Sequence, residues 1–230
     1  MLKYLTSYFT KIEKNLWCSS VVLIVISFFV FGGGNLLTLA ASLIGVTSLI
    51  FGAKGNPLGQ LLIIIFSILY GIISFSSFYY GEMITYLGMT APMAVFALIS
   101  WLKNPYNGNK SEVEIRRLKK KELPVIVLLT TAVTVFFYFI LKAFGTSNLF
   151  PSTISVTTSF AAVYLSLKRS VFFAAAYAAN DIVLIILWIL AAIKDISYLS
   201  MVICFVVFLV NDIYGFINWL KMRKRQEKSK

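Results

Sequence analysis

Apolar residues dominate this chain in eight runs that are separated by short polar segments. The runs cover, to within a few residues, 16–31, 35–52, 58–78, 83–102, 124–144, 152–167, 171–193 and 198–220. A helix rises 1.5 Å per residue, so runs of this length are suited to crossing about 30 Å of hydrocarbon. The pattern predicts an all-α polytopic membrane protein with about eight transmembrane helices. The first run is short, and we expect it to extend toward the amino terminus or to tilt little.

Composition supports the membrane class. Apolar residues make up 59% of the chain and charged residues 13%, whereas soluble domains carry roughly 25% charged residues. The net charge of +12 lies almost entirely in the short segments between the runs. No soluble surface remains that could present a basic stripe, so the sequence argues against nucleic acid as a partner. The expected surroundings are the lipid bilayer of the cell's inner membrane.

The distribution of basic residues predicts the orientation. Even-numbered connections carry Lys54, the basic segment 103–123 and Lys168-Arg169, and both ends of the chain are basic. Odd-numbered connections hold a lone acid, no charge or a balanced pair. Because cytoplasmic loops carry an excess of Lys and Arg, both termini are expected to face the cytoplasm.

Two segments resemble each other and suggest an internal repeat. Ile99-Ser-Trp-Leu-Lys103 closes the fourth run, Ile217-Asn-Trp-Leu-Lys221 closes the eighth, and the same shift places Tyr70 on Trp188. Two parallel three-helix units need an odd number of linking helices, which predicts a 3+1+3 plan preceded by one extra helix. Alternatively, helices with a Trp-Lys anchor look alike because of interfacial physics alone. The predicted segments are 1–34 with the extra helix, the repeat 35–103, the loop and linker helix 104–151, the repeat 152–221 and the basic tail 222–230.

Two carboxylates fall near the middle of predicted helices, Asp181 in the seventh and Asp212 in the eighth. A charged side chain at that depth costs about 3 kcal/mol or more unless it faces a cavity, a partner or a proton. Asparagines precede both aspartates, and a tyrosine lies three residues from each asparagine. We therefore expect two matching layers of amide, carboxylate and phenol, formed by Tyr177, Asn180 and Asp181 and by Asn211, Asp212 and Tyr214.

The candidate substrate-binding residues are these six together with Trp188, on the same face of the seventh helix, and its repeat counterpart Tyr70. Aromatic faces beside amides and carboxylates suit a ligand that combines a base with a sugar. The alternative is structural, because Asn and Tyr often join membrane helices by hydrogen bonds and a neutral Asp can be buried between them.

Other features limit the chemistry. Cys18 and Cys204 lie inside apolar runs and the chain has no histidine, so neither a disulfide nor a metal site nor any cofactor is expected. A membrane enzyme using Asp181 and Asp212 is an alternative, but a Gly-x-Gly-Asp context and a metal-binding acidic cluster are both missing. We therefore expect no enzyme. A structural or assembly subunit is a further alternative.

Residues at the ends of the runs are assigned to the membrane interface, to turns and to loops. Tyr79 and Trp219 are interpreted as members of the aromatic belts at the membrane interface. Gly32-Gly33-Gly34, Lys54-Gly55-Asn56-Pro57 and Gly81-Glu82 are predicted to form turns. The basic segment 103–123 is interpreted as a solvated cytoplasmic connector that contacts lipid headgroups.

At these residues the chain resembles the PnuC family of vitamin transporters, over nearly its full length. The resemblance rests on Lys54-Gly55, on Tyr79-Tyr80-Gly81-Glu82-Met83, on the 3+1+3 plan and on the segment from Asn211 to Trp219. It implies facilitated diffusion of nicotinamide riboside or a related nucleoside, trapping by a cytoplasmic kinase, and a homotrimer. It also implies that Asn180, Trp188, Asn211 and Tyr214 line the pocket.

Two positions depart from the family pattern. Tyr177-Ala-Ala-Asn180 stands where the family usually has Trp-x-x-Asn, and Phe66 stands where an asparagine is common. The resemblance implies that these positions set substrate selectivity, so a deoxyribonucleoside is as well supported as nicotinamide riboside. Proton-coupled symport of a related vitamin is a further alternative.

Overall fold

The apolar runs form long helices that pack into one bundle. The structure, a computed structural model, describes residues 8–31, 36–76, 79–146 and 148–229. Within those ranges the long helices are α1 (Lys11–Val30), α2 (Leu36–Ala53), α3 (Pro57–Ser76), α4 (Tyr80–Lys103), α5 (Glu122–Ala143), α6 (Leu149–Leu167), α7 (Phe172–Ala192) and α8 (Leu199–Lys228). Strands β1 (Pro105–Tyr106) and β2 (Asn109–Val113) form an antiparallel hairpin after α4. The end of the bundle that the hairpin covers is called the hairpin end below.

Several boundaries differ from those predicted. The first helix begins at Lys11, where Thr10 and Glu13 form a capping box, so it extends toward the amino terminus as expected. The last helix continues to Lys228, so most of the predicted tail is helical. The turn predicted at residues 32–34 lies outside the described residues.

Seven of the described helices are long and apolar enough to span a membrane, and α6 is not among them. Helix α6 contains many serines and threonines, of which Ser152, Ser155, Ser159 and Ser166 are buried against neighbouring helices. Those hydroxyls lower its mean hydropathy while facing the protein. The protein is thus an all-α polytopic membrane protein, and eight membrane crossings remain a prediction.

The α2–α3 and α6–α7 connections are built in the same way. Gly55 and Arg169 both adopt left-handed backbone conformations, with φ of 67° and 56°. The next residue then caps the following helix: Asn56 Oδ1 accepts from the Leu58 N–H at 2.9 Å, and Ser170 Oγ accepts from the Phe172 N–H at 3.4 Å. Glycine suits this conformation because it has no Cβ, and the second turn adopts it without glycine.

Two tryptophans make reciprocal contacts at the hairpin end, Trp101 of α4 with α6 and Trp219 of α8 with α2. The Trp101 Nε1–H donates to the Ser166 carbonyl at 2.9 Å, and the Trp219 Nε1–H donates to the Gly52 carbonyl at 2.8 Å. The two indole rings touch, with centroids 5.3 Å apart. Both side chains are fully buried, so the interpretation of Trp219 as a belt residue is wrong.

A second pair of hydrogen bonds follows the same reciprocal rule. Ser100 Oγ donates to the Leu167 carbonyl at 2.9 Å, and Asn218 Nδ2 donates to the Ala53 carbonyl at 2.8 Å. The carboxyl end of α2 thus receives side-chain donors from α8, and that of α6 receives them from α4, as helix ends in a membrane require. Contacts of this kind are what the predicted two-fold repeat would produce.

The basic connector is a structured cap. Its Val113 is fully buried, and the Val113 N–H donates to the Gly55 carbonyl at 2.9 Å while the Arg116 N–H donates to the Arg169 carbonyl at 3.0 Å. Gln226 of α8 donates to the Val113 carbonyl. The connector therefore holds both inter-helix turns, and its interpretation as a merely solvated segment is corrected.

We predict that Trp219→Phe lowers the free energy of unfolding by about 1–2 kcal/mol, because it removes a buried hydrogen bond and part of a packed ring. Unfolding in detergent followed by circular dichroism measures this. Trp17→Phe is the matched control, since Trp17 is 37% exposed and donates only to the Thr47 hydroxyl at 3.2 Å. Equal losses in the two variants would contradict the importance of the reciprocal contact.

Candidate functional site

A narrow cavity lies inside the bundle, and water-sized atoms can enter about 30 Å³ of it. That is room for one or two water molecules, so a small-molecule ligand fits only when the lining side chains move apart. The walls of the cavity come from α2, α3, α4, α7 and α8, and its lining includes aromatic rings, hydroxyls, one amide and two carboxyls: Leu49, Ile63, Phe66, Ser67, Tyr86, Thr90, Tyr177, Asn180, Asp181, Phe205, Phe208 and Asp212. A second cavity, with about 20 Å³ open to water-sized atoms, continues toward the hairpin end and shares Tyr177 and Asp212 with the first.

Asn180 is held by hydroxyls of α6. Its Oδ1 accepts from Thr158 Oγ1 at 2.9 Å and from Ser159 Oγ at 3.0 Å, with Ser155 Oγ at 3.4 Å. These donors fix the orientation of the amide, so Nδ2 points the other way, toward the Tyr86 hydroxyl at 3.5 Å. An amide nitrogen carries two hydrogens, so Asn180 can donate to a ligand while α6 keeps it in place.

Asp181 and Asp212 face each other. Their side chains are 4% and 5% exposed, and the two carboxyl groups are close enough to share a hydrogen bond. Neither carboxyl makes a salt bridge to the part of the chain that the structure describes. Two carboxylates this close repel each other, so ionisation of one disfavours ionisation of the other.

Several polar atoms without partners line the two cavities. Among the described residues, five buried side-chain atoms that line them accept or donate no hydrogen bond: Gln60 Oε1, Ser67 Oγ, Thr90 Oγ1, Tyr177 Oη and Asp181 Oδ2. Buried polar atoms are normally satisfied by protein or by water. Their convergence on one space indicates that water or a polar ligand occupies it.

Tyr70 and Trp188 stand behind the wall of the cavity. The Trp188 Nε1–H donates to the Tyr70 hydroxyl at 2.9 Å, and both side chains are buried. The Tyr70 ring packs on Phe66 and Tyr86, with centroid distances of 5.5 Å and 4.4 Å. These two predicted residues therefore support the aromatic lining and are not themselves among the lining residues.

Asn211 and Tyr214 lie on a different face of α8. Asn211 Nδ2 donates to Ser20 Oγ at 2.9 Å, and the Tyr214 hydroxyl donates to Glu13 Oε1 at 3.1 Å. Both partners belong to α1, which packs against α8 outside the cavity. The structure therefore does not bring Asn211 and Tyr214 together with the other predicted residues. Successive residues on a helix point about 100° apart, so Asp212 faces the cavity while Asn211 faces away.

Several lining residues were not predicted, among them Gln60, Tyr86 and Thr90. Tyr86 and Thr90 begin and end the single π-helical turn within α4, Tyr86–Thr90. Such turns are rare in proteins overall, and many of those known lie at functional sites. The sequence pattern does not reveal them. Gln60 could have been predicted from the sequence, because it is an uncharged amide within an apolar run.

Glu82 extends the polar surroundings of Asn180 away from the hairpin end. It lies in the first turn of α4 and is 1% exposed, so its assignment to a turn was wrong. Ser155 Oγ lies 3.3 Å from Glu82 Oε2 and 3.4 Å from Asn180 Oδ1, and therefore links the two side chains. Tyr79, the residue before α4, is also buried and contacts Trp188.

A helical membrane protein whose bundle encloses a cavity of unpartnered polar groups has the architecture of a membrane transporter. The family model described as "Nicotinamide mononucleotide transporter" matches residues 35–221. The chain belongs to this family of transporters.

Named relatives and a solved structure agree with this membership. The nicotinamide riboside transporter PnuC of Neisseria mucosa is 28% identical over 86% of this chain and 76% of its own length. The PnuC of Haemophilus influenzae is 25% identical over 82% of this chain and 81% of its own length. The crystal structure of a vitamin B3 transporter PnuC has the same fold, with a TM-score of 0.82 and 24% identity over 95% of this chain and 94% of that one. These relatives are transporters and not enzymes.

We predict that Asn180→Ala reduces substrate uptake by about tenfold, the effect of one lost buried hydrogen bond to the ligand. Asn211→Ala is the matched control and should reduce uptake much less, because its amide contacts α1. Uptake by purified protein in vesicles, normalised to folded protein, measures both. A larger loss for Asn211→Ala would mean that the cavity has been assigned to the wrong face of α8.

Proposed function

We propose that this protein carries nicotinamide riboside, or a closely related nucleoside, across the inner membrane by facilitated diffusion, and that the solute binds in the cavity around Asn180 and Asp181. The proposal rests on five unpartnered buried polar atoms, four in the aromatic-walled cavity and one, Gln60 Oε1, in the cavity that adjoins it. The names of the two bacterial relatives support the choice of solute.

The lining has the groups that a nucleoside requires. The rings of Phe66, Tyr86 and Phe205 form an apolar wall on which a flat base can stack. Asn180 Nδ2 and the hydroxyls of Tyr177 and Thr90 are donors within the same space, and sugar hydroxyls can accept from them. On this proposal the ligand, and not protein, completes these hydrogen bonds, which makes binding selective for a polar solute.

The carboxyl pair is suited to a cationic base. The pyridinium ring of nicotinamide riboside is positively charged, and an ionised carboxylate of the Asp181–Asp212 pair would attract it inside the protein. A neutral deoxyribonucleoside is a second candidate, and Phe66 and Tyr177 favour it. Both residues depart from the family pattern, and both line the cavity.

The arrangement of the chain forms part of the same proposal. The reciprocal bonds of Trp101 and Trp219 support two parallel repeats, 35–103 and 152–221, joined by a linker helix. The basic hairpin end supports cytoplasmic termini. The resemblance further supports a homotrimer and a cytoplasmic kinase that traps the imported solute.

Uptake into vesicles tests the function. Purified protein should equilibrate labelled nicotinamide riboside across the membrane without concentrating it, because uncoupled diffusion only dissipates a gradient. An imposed proton or sodium gradient should leave the end point unchanged, and an excess of deoxyribonucleosides measures the competing specificity. Accumulation driven by a pH gradient would contradict facilitated diffusion, and no uptake of any nucleoside would contradict the proposed function.

We predict that the double variant Asp181→Asn/Asp212→Asn loses about tenfold in uptake of the cationic solute, the scale expected for one buried charge interaction, and changes less toward a neutral nucleoside. Asp212→Asn alone keeps one carboxyl beside an amide donor and should retain most of the preference. Relative uptake of the two solutes measures it. An equal loss for both solutes would assign the pair a structural role.

A further inference from the structure

A cleft on the outside of the hairpin end takes no part in the cavity described above. It offers about 260 Å³ to water-sized atoms and lies where the segment after the hairpin meets the start of α7 and the end of α8. Three guanidinium groups, one hydroxyl and three apolar side chains line it: Arg116, Arg117, Leu118, Ser170, Val171, Phe172 and Arg223.

The carboxylates around the cleft do not match its cations. Arg117 binds Glu227 through two hydrogen bonds of 2.6 Å, whereas Arg223 Nε lies 3.9 Å from the same carboxylate. That Arg223 nitrogen is buried and has no hydrogen-bond partner among the described residues. Arg116 pairs with Glu122 at 2.8 Å through one of its nitrogens. Two glutamates therefore face three arginines.

Neighbouring residues increase the positive charge. The Arg169 guanidinium is close enough to Arg116 to feel its repulsion, and Lys168 lies near Glu122. Burial lowers the pKa of Arg169, and the charge of Arg116 acts in the same direction even though Glu114 opposes it. Helix α7 also begins in this cleft, and the amino-terminal end of a helix attracts anions.

The outer side of the cleft is apolar. Phe172 is 49% exposed, and the start of the adjacent α5 presents Leu123 and Val125, which are 52% and 48% exposed. A free anion would not contact these apolar side chains, whereas the acyl chains of a lipid would cover them. Arginine-rich pockets between membrane helices on the cytoplasmic side are known to hold lipid headgroups.

We propose that this cleft binds the phosphate of an anionic phospholipid, with Arg116 and Arg223 as its main ligands and Phe172 against the acyl chains. Arg223 contributes the donor that the protein leaves without a partner. Arg117 is held by Glu227 and shapes the edge of the cleft. The bound lipid would fix the hairpin cap to the membrane surface and so anchor the end of the bundle where both turns are held.

Titration of the full-length protein in detergent tests the proposal. Phosphatidylglycerol should bind with measurable affinity in native mass spectrometry and raise the thermal midpoint, and phosphatidylcholine should do neither. Arg223→Gln should weaken phosphatidylglycerol binding about tenfold, the scale of a charge-assisted hydrogen bond. Lys110→Gln is the matched control, because it removes the same charge from an exposed site on β2.

The same experiment distinguishes a lipid phosphate from a soluble anion. Inorganic phosphate at millimolar concentration should neither raise the midpoint nor displace the lipid, and doing both would assign the cleft to a soluble anion and overturn the lipid proposal. Equal binding to the two lipids, or equal weakening by Arg223→Gln and Lys110→Gln, would also overturn it. Arg116→Gln provides a second variant should Arg223→Gln not retain its helical circular dichroism.

Discussion

Polar groups inside hydrocarbon must find their hydrogen-bond partners within the protein, and the rest of this structure depends on that requirement. At the hairpin end the carboxyl-terminal carbonyls of α2 and α6 receive donors from Trp219 of α8 and Trp101 of α4. These bonds hold the four helices together at that end. The same requirement makes the cavity informative, because several of its polar atoms are left without partners in the described chain.

Residues behind the cavity wall hold the lining side chains in place. Hydroxyls of α6 hold the Asn180 oxygen, and the Tyr70–Trp188 hydrogen bond supports the aromatic wall. The π-helical turn of α4 includes Tyr86, which completes that wall. Side chains that are already held by hydrogen bonds lose less conformational entropy when a ligand binds. It also explains why a helix as rich in hydroxyls as α6 belongs in the bundle.

The helices and the inward carboxylates could be predicted from the sequence, because long apolar runs and buried charge are strong signals. Asn180, Asp181 and Asp212 do line the cavity. The positions of Asn211 and Tyr214 could not be predicted, because a sequence pattern gives the face of a helix without saying which neighbour covers it. Helix α1 supplies Ser20 and Glu13 to that face, and nothing in the local pattern of α8 indicates this.

Other misjudged residues share one physical cause. Trp219 and Tyr79 near helix ends resemble interfacial residues in the sequence, yet both are buried. Trp219 packs with Trp101 and with Val113 of the hairpin, and Tyr79 packs on Trp188. Glu82 was assigned to a turn because Gly81 precedes it, whereas helix α4 begins at Tyr80. End effects of this kind depend on which segments pack over the bundle, and hydropathy alone does not contain that information.

We propose that solute binds between Asn180, Tyr177 and the Asp181–Asp212 pair. An experimental structure of the protein with nicotinamide riboside bound tests it most directly. We expect density for the base against Phe66 and Tyr86, with the Asn180 amide nitrogen within hydrogen-bonding distance of the ligand. Density on the α1 side of α8, beside Asn211 and Tyr214, or a cavity that holds only ordered water at saturating solute, would contradict the account.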